Sequence, residues 1–145
     1  MVRVAHVSDV HITASPLGLA LRDFLSKRFG TLVNLRLHRG KNFRLADEVA
    51  LAFERDCRQR GVDSVIFSGD ATNFGLPSEM ARAAEILGVG RMPGLAVPGN
   101  HDYLVKAAER SGAFERCFAP WQQGERLDGQ IYPFAQKVGE VWFIG

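Results

Sequence analysis

Five side chains that can bind metal ions lie directly after three short apolar runs of this chain. The runs are Val2–Val7, Val62–Phe67 and Leu95–Val97, and each has the length and composition of a buried β-strand. Because the carboxyl ends of parallel strands meet at one edge of a sheet, the loops that follow are expected to share a crevice. The side chains that would line it belong to Asp9, His11, Asp70, Asn100 and His101. Carboxylate, amide and imidazole donors of this kind suit a divalent transition metal.

Each of these short segments, taken alone, also has an ordinary structural explanation. Asp9 and His11 are two residues apart, which places both side chains on one side of an extended segment, but such a pair often occurs by chance. Asp70 follows Gly69, and a carboxylate there commonly bonds its own turn. Asp102, after His101, is interpreted as the N-cap of the next helix. The order of all three segments after strands nevertheless favours a metal site.

The rest of the chain alternates helices with these strands and ends in a hairpin. The predicted helices span about 43–60, with Leu45, Val49 and Phe53 as the apolar stripe, 77–88, with Met80, Ala84 and Leu87, and about 103–118. The predicted hairpin pairs Ile131–Gln136 with Val141–Ile144 through a turn near Gly139. Strand–helix–strand alternation predicts an α/β fold with mostly parallel strands and right-handed crossovers.

Residues 13–42 are too long for a simple connection and are predicted to be a basic, amphipathic insertion. A helix is expected over Leu17–Phe29, followed by a second apolar stretch, Leu32–Leu37. Residues 20–44 carry seven Lys and Arg against one acid, Asp23, so their local charge is +6 in a chain of net charge +2. Two interpretations stay open. Residues 17–44 are either a lid that meets an anionic substrate or a membrane surface, or a solvated surface helix.

Size and composition narrow the class of protein further. The 145 residues are predicted to form one domain, and the charged fraction of 23% is ordinary for a globular protein. Cys57 and Cys117 do not form a CxxC pair, and the first strand leaves no room for a signal peptide, so a cytoplasmic location is expected. The basic segment has few interleaved aromatic residues, which disfavours a nucleic-acid-binding role.

The combination DVH, GDATN and GNHD resembles the calcineurin-like metallophosphoesterase superfamily. The resemblance implies the N-terminal part of a four-layer α/β/β/α sandwich with a centre of two divalent metal ions, with manganese, iron or zinc preferred. It also implies that Asp9 and His11 bind the first ion, Asp70 bridges both, and Asn100 binds the second. His101 would steady the phosphoryl oxygens or protonate the leaving group. A metal-bridging hydroxide would then attack the phosphodiester or phosphomonoester.

Two departures from that family refine the expectation. Asn73 and Phe74 stand where protein phosphatases carry Asp and Arg, which favours a phosphodiesterase and makes Asn73 a candidate substrate-binding residue. The substrate would be a cyclic nucleotide, a nucleotide diester or a lipid-linked phosphate. No histidine follows His101, although the family supplies further histidine ligands there. The chain is therefore expected to be part of a longer enzyme and inactive alone; the alternative is a non-catalytic fragment or binding module that retains half of the metal site.

Overall fold

The computed structural model describes residues 1–14, 18–39 and 45–145. Five strands and five α-helices lie in these ranges: β1 Val4–Val7, α1 Lys27–Asn34, α2 Ala46–Gln59, β2 Ser64–Phe67, α3 Pro77–Leu87, β3 Gly94–Ala96, α4 Lys106–Ser111, α5 Ala113–Phe118, β4 Ala135–Val138 and β5 Val141–Ile144. Short 3-10 turns cover Leu21–Leu25 and Ala119–Trp121, and a π-helical turn covers Leu35–Arg39. Within the described ranges, no helix is long and apolar enough to cross a membrane.

The central sheet has three parallel strands in the order β1-β2-β3. Val7 pairs with Phe67, and Phe67 pairs with Ala96, so the carboxyl ends of the three strands lie in one row. A second sheet consists of the antiparallel hairpin β4-β5, in which Val138 pairs with Val141. The predicted α/β class, with mostly parallel strands and a C-terminal hairpin, is therefore confirmed.

The hydrophobic core packs helices α3 and α5 against the parallel sheet. Phe118 stacks on Phe67 at 5.5 Å and on Phe114 at 4.4 Å between ring centroids. The predicted stripe of α3 is confirmed, since Met80, Ala84 and Leu87 are all buried. Helix α3 begins with Pro77 in its first turn, and Glu79 accepts a hydrogen bond from the N-cap backbone N–H of Leu76. This core holds the carboxyl ends of the strands in a fixed register.

Helix α2 differs from its predicted stripe. Residues 43–44 of the predicted helix lie outside the described residues. Leu45 is 49% exposed and Val49 is 65% exposed, so the expectation that both face the core is wrong. The buried positions are Ala50 and Cys57, with Phe53 half-buried. The buried face of α2 is therefore rotated from the predicted stripe by about one residue.

Helix ends differ from prediction at two further places. The predicted helix over 103–118 is two short helices, because Gly112 adopts a left-handed conformation with φ of 59° and ends α4. In the insertion, the predicted helix over Leu17–Phe29 is wrong in its bounds. Residues 15–17 lie outside the described residues. Ser26 has an extended backbone, so α1 starts only at Lys27. From there, helical turns continue to Arg39 and include Leu32–Leu37, which was predicted as a separate apolar stretch.

The hairpin is also shifted from its predicted position. Its first strand covers Ala135–Val138 instead of Ile131–Gln136, whereas the second strand, Val141–Ile144, lies where it was predicted. The register leaves Gly139 and Glu140 as the two-residue turn. That residues 1–145 form one domain, as part of a longer one, stays a prediction.

Candidate metal centre

The loops after β1 and β2 run side by side beyond the ends of the strands. Backbone N–H groups of Asp9, His11 and Ile12 donate to the carbonyl oxygens of Gly69, Asp70 and Ala71 at 3.0, 3.1 and 2.8 Å. The parallel pairing therefore continues into both loops. This extension keeps the candidate ligands of the first loop in register with Asp70 of the second.

Three predicted metal ligands come together at this edge. Ligand atoms of Asp9, His11 and Asp70 all lie within 4.8 Å of one another. The Oδ1 of Asp9 is 3.8 Å from Nε2 of His11. His11 is only 2% exposed, whereas the side chain of Asp9 is 65% exposed, so the group is open to solvent on one side. Two carboxylates and one imidazole at this separation fit a divalent cation.

The third loop, which follows β3, contacts the same group of candidate ligands through Asp70. The backbone N–H of His101 donates to Asp70 Oδ1 at 2.8 Å. Asn100 is exposed and lies between Gly99 and His101, both of which approach Asp70 closely. The structure thus places all three predicted loops around one carboxylate. The ligand role of Asn100 stays a prediction.

The backbone of the candidate ligands is strained. Among the described residues, those other than glycine with positive φ are Asp9 at 57°, His11 at 47° and Asp70 at 59°. A residue with a side chain loses about 1–2 kcal/mol in this left-handed region. Such strain concentrates at functional sites, where the surrounding structure holds it. Its occurrence at these three residues is independent support for a shared functional role.

Two glycines allow the second and third loops to touch. Gly69 has φ of 101°, and a Cβ atom there would lie 2.3 Å from the backbone nitrogen of Gly99. A Cβ on Gly99 would lie 2.1 Å from Oδ1 of Asp70. No larger residue fits at either position without moving backbone. Gly69 and Gly99 are therefore required for the close approach of the second and third loops.

Backbone carbonyl oxygens orient both histidines of the site. The Nδ1 of His11 lies 3.2 Å from the Thr72 carbonyl oxygen, and Nδ1 of His101 lies 3.0 Å from the Asn73 carbonyl oxygen. Because a carbonyl oxygen only accepts, each Nδ1 carries the proton. In the neutral rings the Nε2 atoms then hold the lone pairs, which is the usual state of a metal-binding or proton-accepting histidine.

Asp102 connects the second and third loops through hydrogen bonds, a role that the sequence did not predict. It is fully buried, and its carboxylate accepts hydrogen bonds from backbone N–H groups of Gly99, Ala71 and Thr72 and from the Thr72 hydroxyl. The prediction that Asp102 is a helix N-cap is wrong, since α4 begins at Lys106. Burial raises the pKa of this carboxyl, although the hydrogen bonds from Gly99, Ala71 and Thr72 oppose that shift.

A cleft of about 440 Å³ opens beside His101. Its walls are Asn73, His101 and Leu104 on one side and the helical insertion on the other, through Lys27, Gly30, Thr31, Asn34 and Leu35. Asn73 is 3% exposed, and its amide donates to the His11 carbonyl oxygen and to Thr13 Oγ1 at 2.5 and 2.6 Å. Asn73 therefore supports the first loop; its predicted contact with substrate stays a prediction.

The fold and this site define an α/β protein with a candidate metal centre at the carboxyl edge of parallel strands. The family model for calcineurin-like phosphoesterases matches residues 2–144, and the chain belongs to that family. The family prediction is thereby confirmed.

A similarity to one named relative bears on the branch of the family. Glycerophosphodiester phosphodiesterase GpdQ of Enterobacter lignolyticus (strain SCF1) is 50% identical over 40 residues. These residues are 28% of this chain and 14% of that enzyme, so the match spans a small part of the relative's length. The similarity supports the predicted phosphodiesterase-like branch.

Proposed function

We propose that this protein, as part of its complete enzyme, hydrolyses a phosphate ester and prefers a phosphodiester. The observation that carries this proposal is the approach of Asp9, His11 and Asp70 ligand atoms within 4.8 Å in a chain of the calcineurin-like family. Two divalent ions, of manganese, iron or zinc, would be held by these residues and Asn100. When bound, such ions activate water as a nucleophile and offset charge on the phosphoryl oxygens.

The protein's own groups would orient the substrate and move a proton. His101 lines the cleft, and the Asn73 carbonyl oxygen fixes the proton on its Nδ1. The Nε2 atom of His101, when protonated, would donate to a phosphoryl oxygen or to the leaving group. Lys27, on the opposite wall, supplies a positive charge to the same cleft. The chemistry is general acid catalysis beside an electrostatic clamp on the phosphate.

A diester suits this cleft better than a monoester. Phe74 is fully buried, so the position where protein phosphatases carry a phosphate-gripping arginine offers no charge to the substrate. A diester carries one negative charge and a monoester up to two. The name of the relative GpdQ also specifies a phosphodiester. Cyclic nucleotides, nucleotide diesters and lipid-linked phosphates are the candidate substrates.

The test compares bis-p-nitrophenyl phosphate with p-nitrophenyl phosphate in the intact, metal-stripped protein. We expect no hydrolysis before manganese, iron(II) or zinc is added, and faster hydrolysis of the diester afterwards. Asp70→Asn should abolish activity, whereas Asp128→Asn, at an exposed position, should leave it unchanged. Preference for the monoester would contradict the diesterase proposal, and metal-independent activity would contradict the whole mechanism.

One alternative has a specific observation in its favour. Residues 1–145 contain four histidines and none after His101, so within these residues Asp70 and Asn100 are the candidate ligands of the second ion. A binding module that holds one ion without hydrolysis would fit this donor set. Calorimetric titration that finds one ion per chain, together with no turnover of either ester, would favour the module. The cytoplasmic location stays a prediction.

A further inference from the structure

Helix α1 lines the cleft with mostly polar residues and leaves the apolar side chains of Phe29 and Val33 exposed to solvent. Lys27, Gly30, Thr31 and Asn34 recur at the spacing of one helix face and line the cleft beside His101. Phe29 and Val33 of the same helix are 46% and 40% exposed. A helix of a globular protein normally buries its apolar face. Part of the apolar surface of α1 is therefore left uncovered.

A buried arginine fixes this orientation. Arg28 is 7% exposed, and its guanidinium donates to the carbonyl oxygens of Phe74 and Gly75 at 2.8 and 3.0 Å. It also donates to Asp23 Oδ1 at 2.8 Å. A desolvated guanidinium is stable only where such acceptors surround it. The contacts of Arg28 thus hold α1 against the loop that follows Asp70, with Lys27, Thr31 and Asn34 along the cleft.

The exposed apolar side chains around α1 form one surface, here called the apolar face. It consists of Leu21, Phe24, Leu25, Phe29, Val33 and Leu37, which are 40–94% exposed. The rings of Phe24 and Phe29 lie 5.9 Å apart, so the 3-10 turn and α1 contribute to the same surface. Large apolar side chains grouped in this way mark an interaction site.

The charge of residues 20–44 indicates which kind of partner fits the apolar face. The only acid of residues 20–44 is Asp23, and it is buried against Arg28. No carboxylate of the segment is therefore exposed, while Arg36 is exposed next to Leu37 of the apolar face and Lys27 is exposed at the cleft. Apolar side chains flanked by cations without anions suit the headgroup region of a bilayer that contains anionic lipids.

We propose that the apolar face docks this protein onto an anionic lipid bilayer. Its large side chains would enter the boundary between headgroups and acyl chains, while Lys27, Thr31 and Asn34 of α1 remain at the cleft. The docking does not depend on the proposed hydrolysis. The further consequence, that a headgroup phosphodiester is the substrate, rests on the proposed function.

Vesicle flotation of the intact protein tests the docking without any activity measurement. The vesicles contain phosphatidylcholine alone or with about one third phosphatidylglycerol. We expect binding to the anionic vesicles that weakens in high salt. Leu25→Ser combined with Leu37→Ser should lower the bound-to-free ratio by about tenfold or more, because both side chains lose contact with lipid. Leu127→Ser, at a position 98% exposed, is the matched control and should bind as the unaltered protein does.

Three outcomes would overturn the proposal. The first is absence of binding to both kinds of vesicle, and the second is equal loss of binding in Leu127→Ser. The third is self-association of the intact protein, seen by light scattering, that the paired Leu substitutions abolish, since a second copy would then cover the apolar face. Binding that persists in a protein unable to hydrolyse any ester would refute the proposed function and leave the docking intact.

Discussion

His101 is the side chain best placed to handle a proton, because the Asn73 carbonyl oxygen holds its ring beside the cleft. His101→Gln should lower kcat for bis-p-nitrophenyl phosphate about 10²-fold, the usual contribution of a positioned general acid. The affinity for manganese, measured by calorimetry, should change little, because His101 is not among the proposed ligands. His6→Gln is the control, since His6 is an exposed residue of β1 whose ring forms a hydrogen bond with the Ser68 hydroxyl, away from the cleft-lining residues. Loss of manganese affinity in His101→Gln would instead make His101 a metal ligand.

Asp102 should prove as important for stability as the candidate ligands are for metal binding. Both of its carboxylate oxygens accept from N–H or O–H donors. In Asp102→Asn an amide NH₂ group would face at least one backbone N–H, which leaves buried donors without acceptors. We expect the free energy of unfolding in urea to fall by about 2–4 kcal/mol. We also expect weaker metal binding, since the second and third loops separate.

Asp128→Asn also replaces a carboxylate by an amide, but at an exposed position. It should change neither the free energy of unfolding nor the metal affinity. Equal stability of Asp102→Asn and the unaltered protein would show that the carboxylate does not hold the loops together.

Residue types and spacing were enough to predict the candidate ligands but not their support. Asp9, His11 and Asp70 follow apolar runs, and parallel strands bring such positions together whatever the side chains between them are. Asp102 was misinterpreted because an acid before a helical pattern usually caps it. Only the three-dimensional structure shows that two of its partners, Ala71 and Thr72, lie 31 and 30 residues away along the chain.

The strands and the α3 helix were predictable because their local pattern and their packing agree. Strand ends fell within two residues of prediction in β1 and β2, and the buried stripe of α3 was correct. The insertion was not predictable in the same way. The rule that apolar side chains face the core fails for Phe29 and Val33 of α1, because the contacts of Arg28 with Phe74 and Gly75 decide which face turns inward. Those acceptors lie more than 40 residues from Arg28.

Helix α1 should separate from the cleft when Arg28 is removed. In Arg28→Ala the carbonyl oxygens of Phe74 and Gly75 lose their donor, and Asp23 loses its cationic partner. Breaking a buried ion pair costs about 3–5 kcal/mol. Part of that cost should appear as amide hydrogen exchange in residues 27–34 that is at least tenfold faster, and as a higher KM for the diester at similar kcat.

Arg36→Ala tests whether the effect belongs to the buried guanidinium or to positive charge in general. Arg36 is exposed in the helical turn that follows α1, so its removal should leave hydrogen exchange and KM unchanged. Equal effects of the two substitutions would mean that α1 is attached through charge alone. No effect of either would mean that the contacts of Arg28 do not hold the helix.

Charge is unevenly distributed over the whole molecule. Residues 20–44 carry +6, and the remaining residues therefore sum to −4 in a chain of net charge +2. The positive part borders the cleft through Lys27. Association with anionic substrates or surfaces should therefore weaken as ionic strength rises. The net charge alone would have concealed this dependence.

One buried acid should set how the stability of the whole fold varies with pH. Glu79 is fully buried, and its Oε2 accepts from the backbone N–H groups of Phe74 and Leu76. Its Oε1 has no hydrogen-bond partner. Burial raises the pKa of Glu79 to about 7, although the backbone donors and Arg28 lower it in part. The folded state therefore keeps this proton over a pH range in which the unfolded chain has lost it.

The sign of the pH effect follows from that difference in proton binding. Between pH of about 4.5 and about 7 the unfolded state binds fewer protons than the folded state, so the free energy of unfolding falls as pH rises, by about 3 kcal/mol in total.

Glu79→Gln removes this pH dependence, because the glutamine side chain cannot ionise. Whatever constant cost its amide adds, the variant should gain about 3 kcal/mol relative to the unaltered protein between pH 4.5 and pH 8. Urea unfolding at both pH values measures this gain, and Glu140→Gln, whose side chain is 94% exposed, should show none. Parallel pH profiles for Glu79→Gln and the unaltered protein would mean that Glu79 is ionised in the fold and that its charge is stabilised by neighbours such as Arg28.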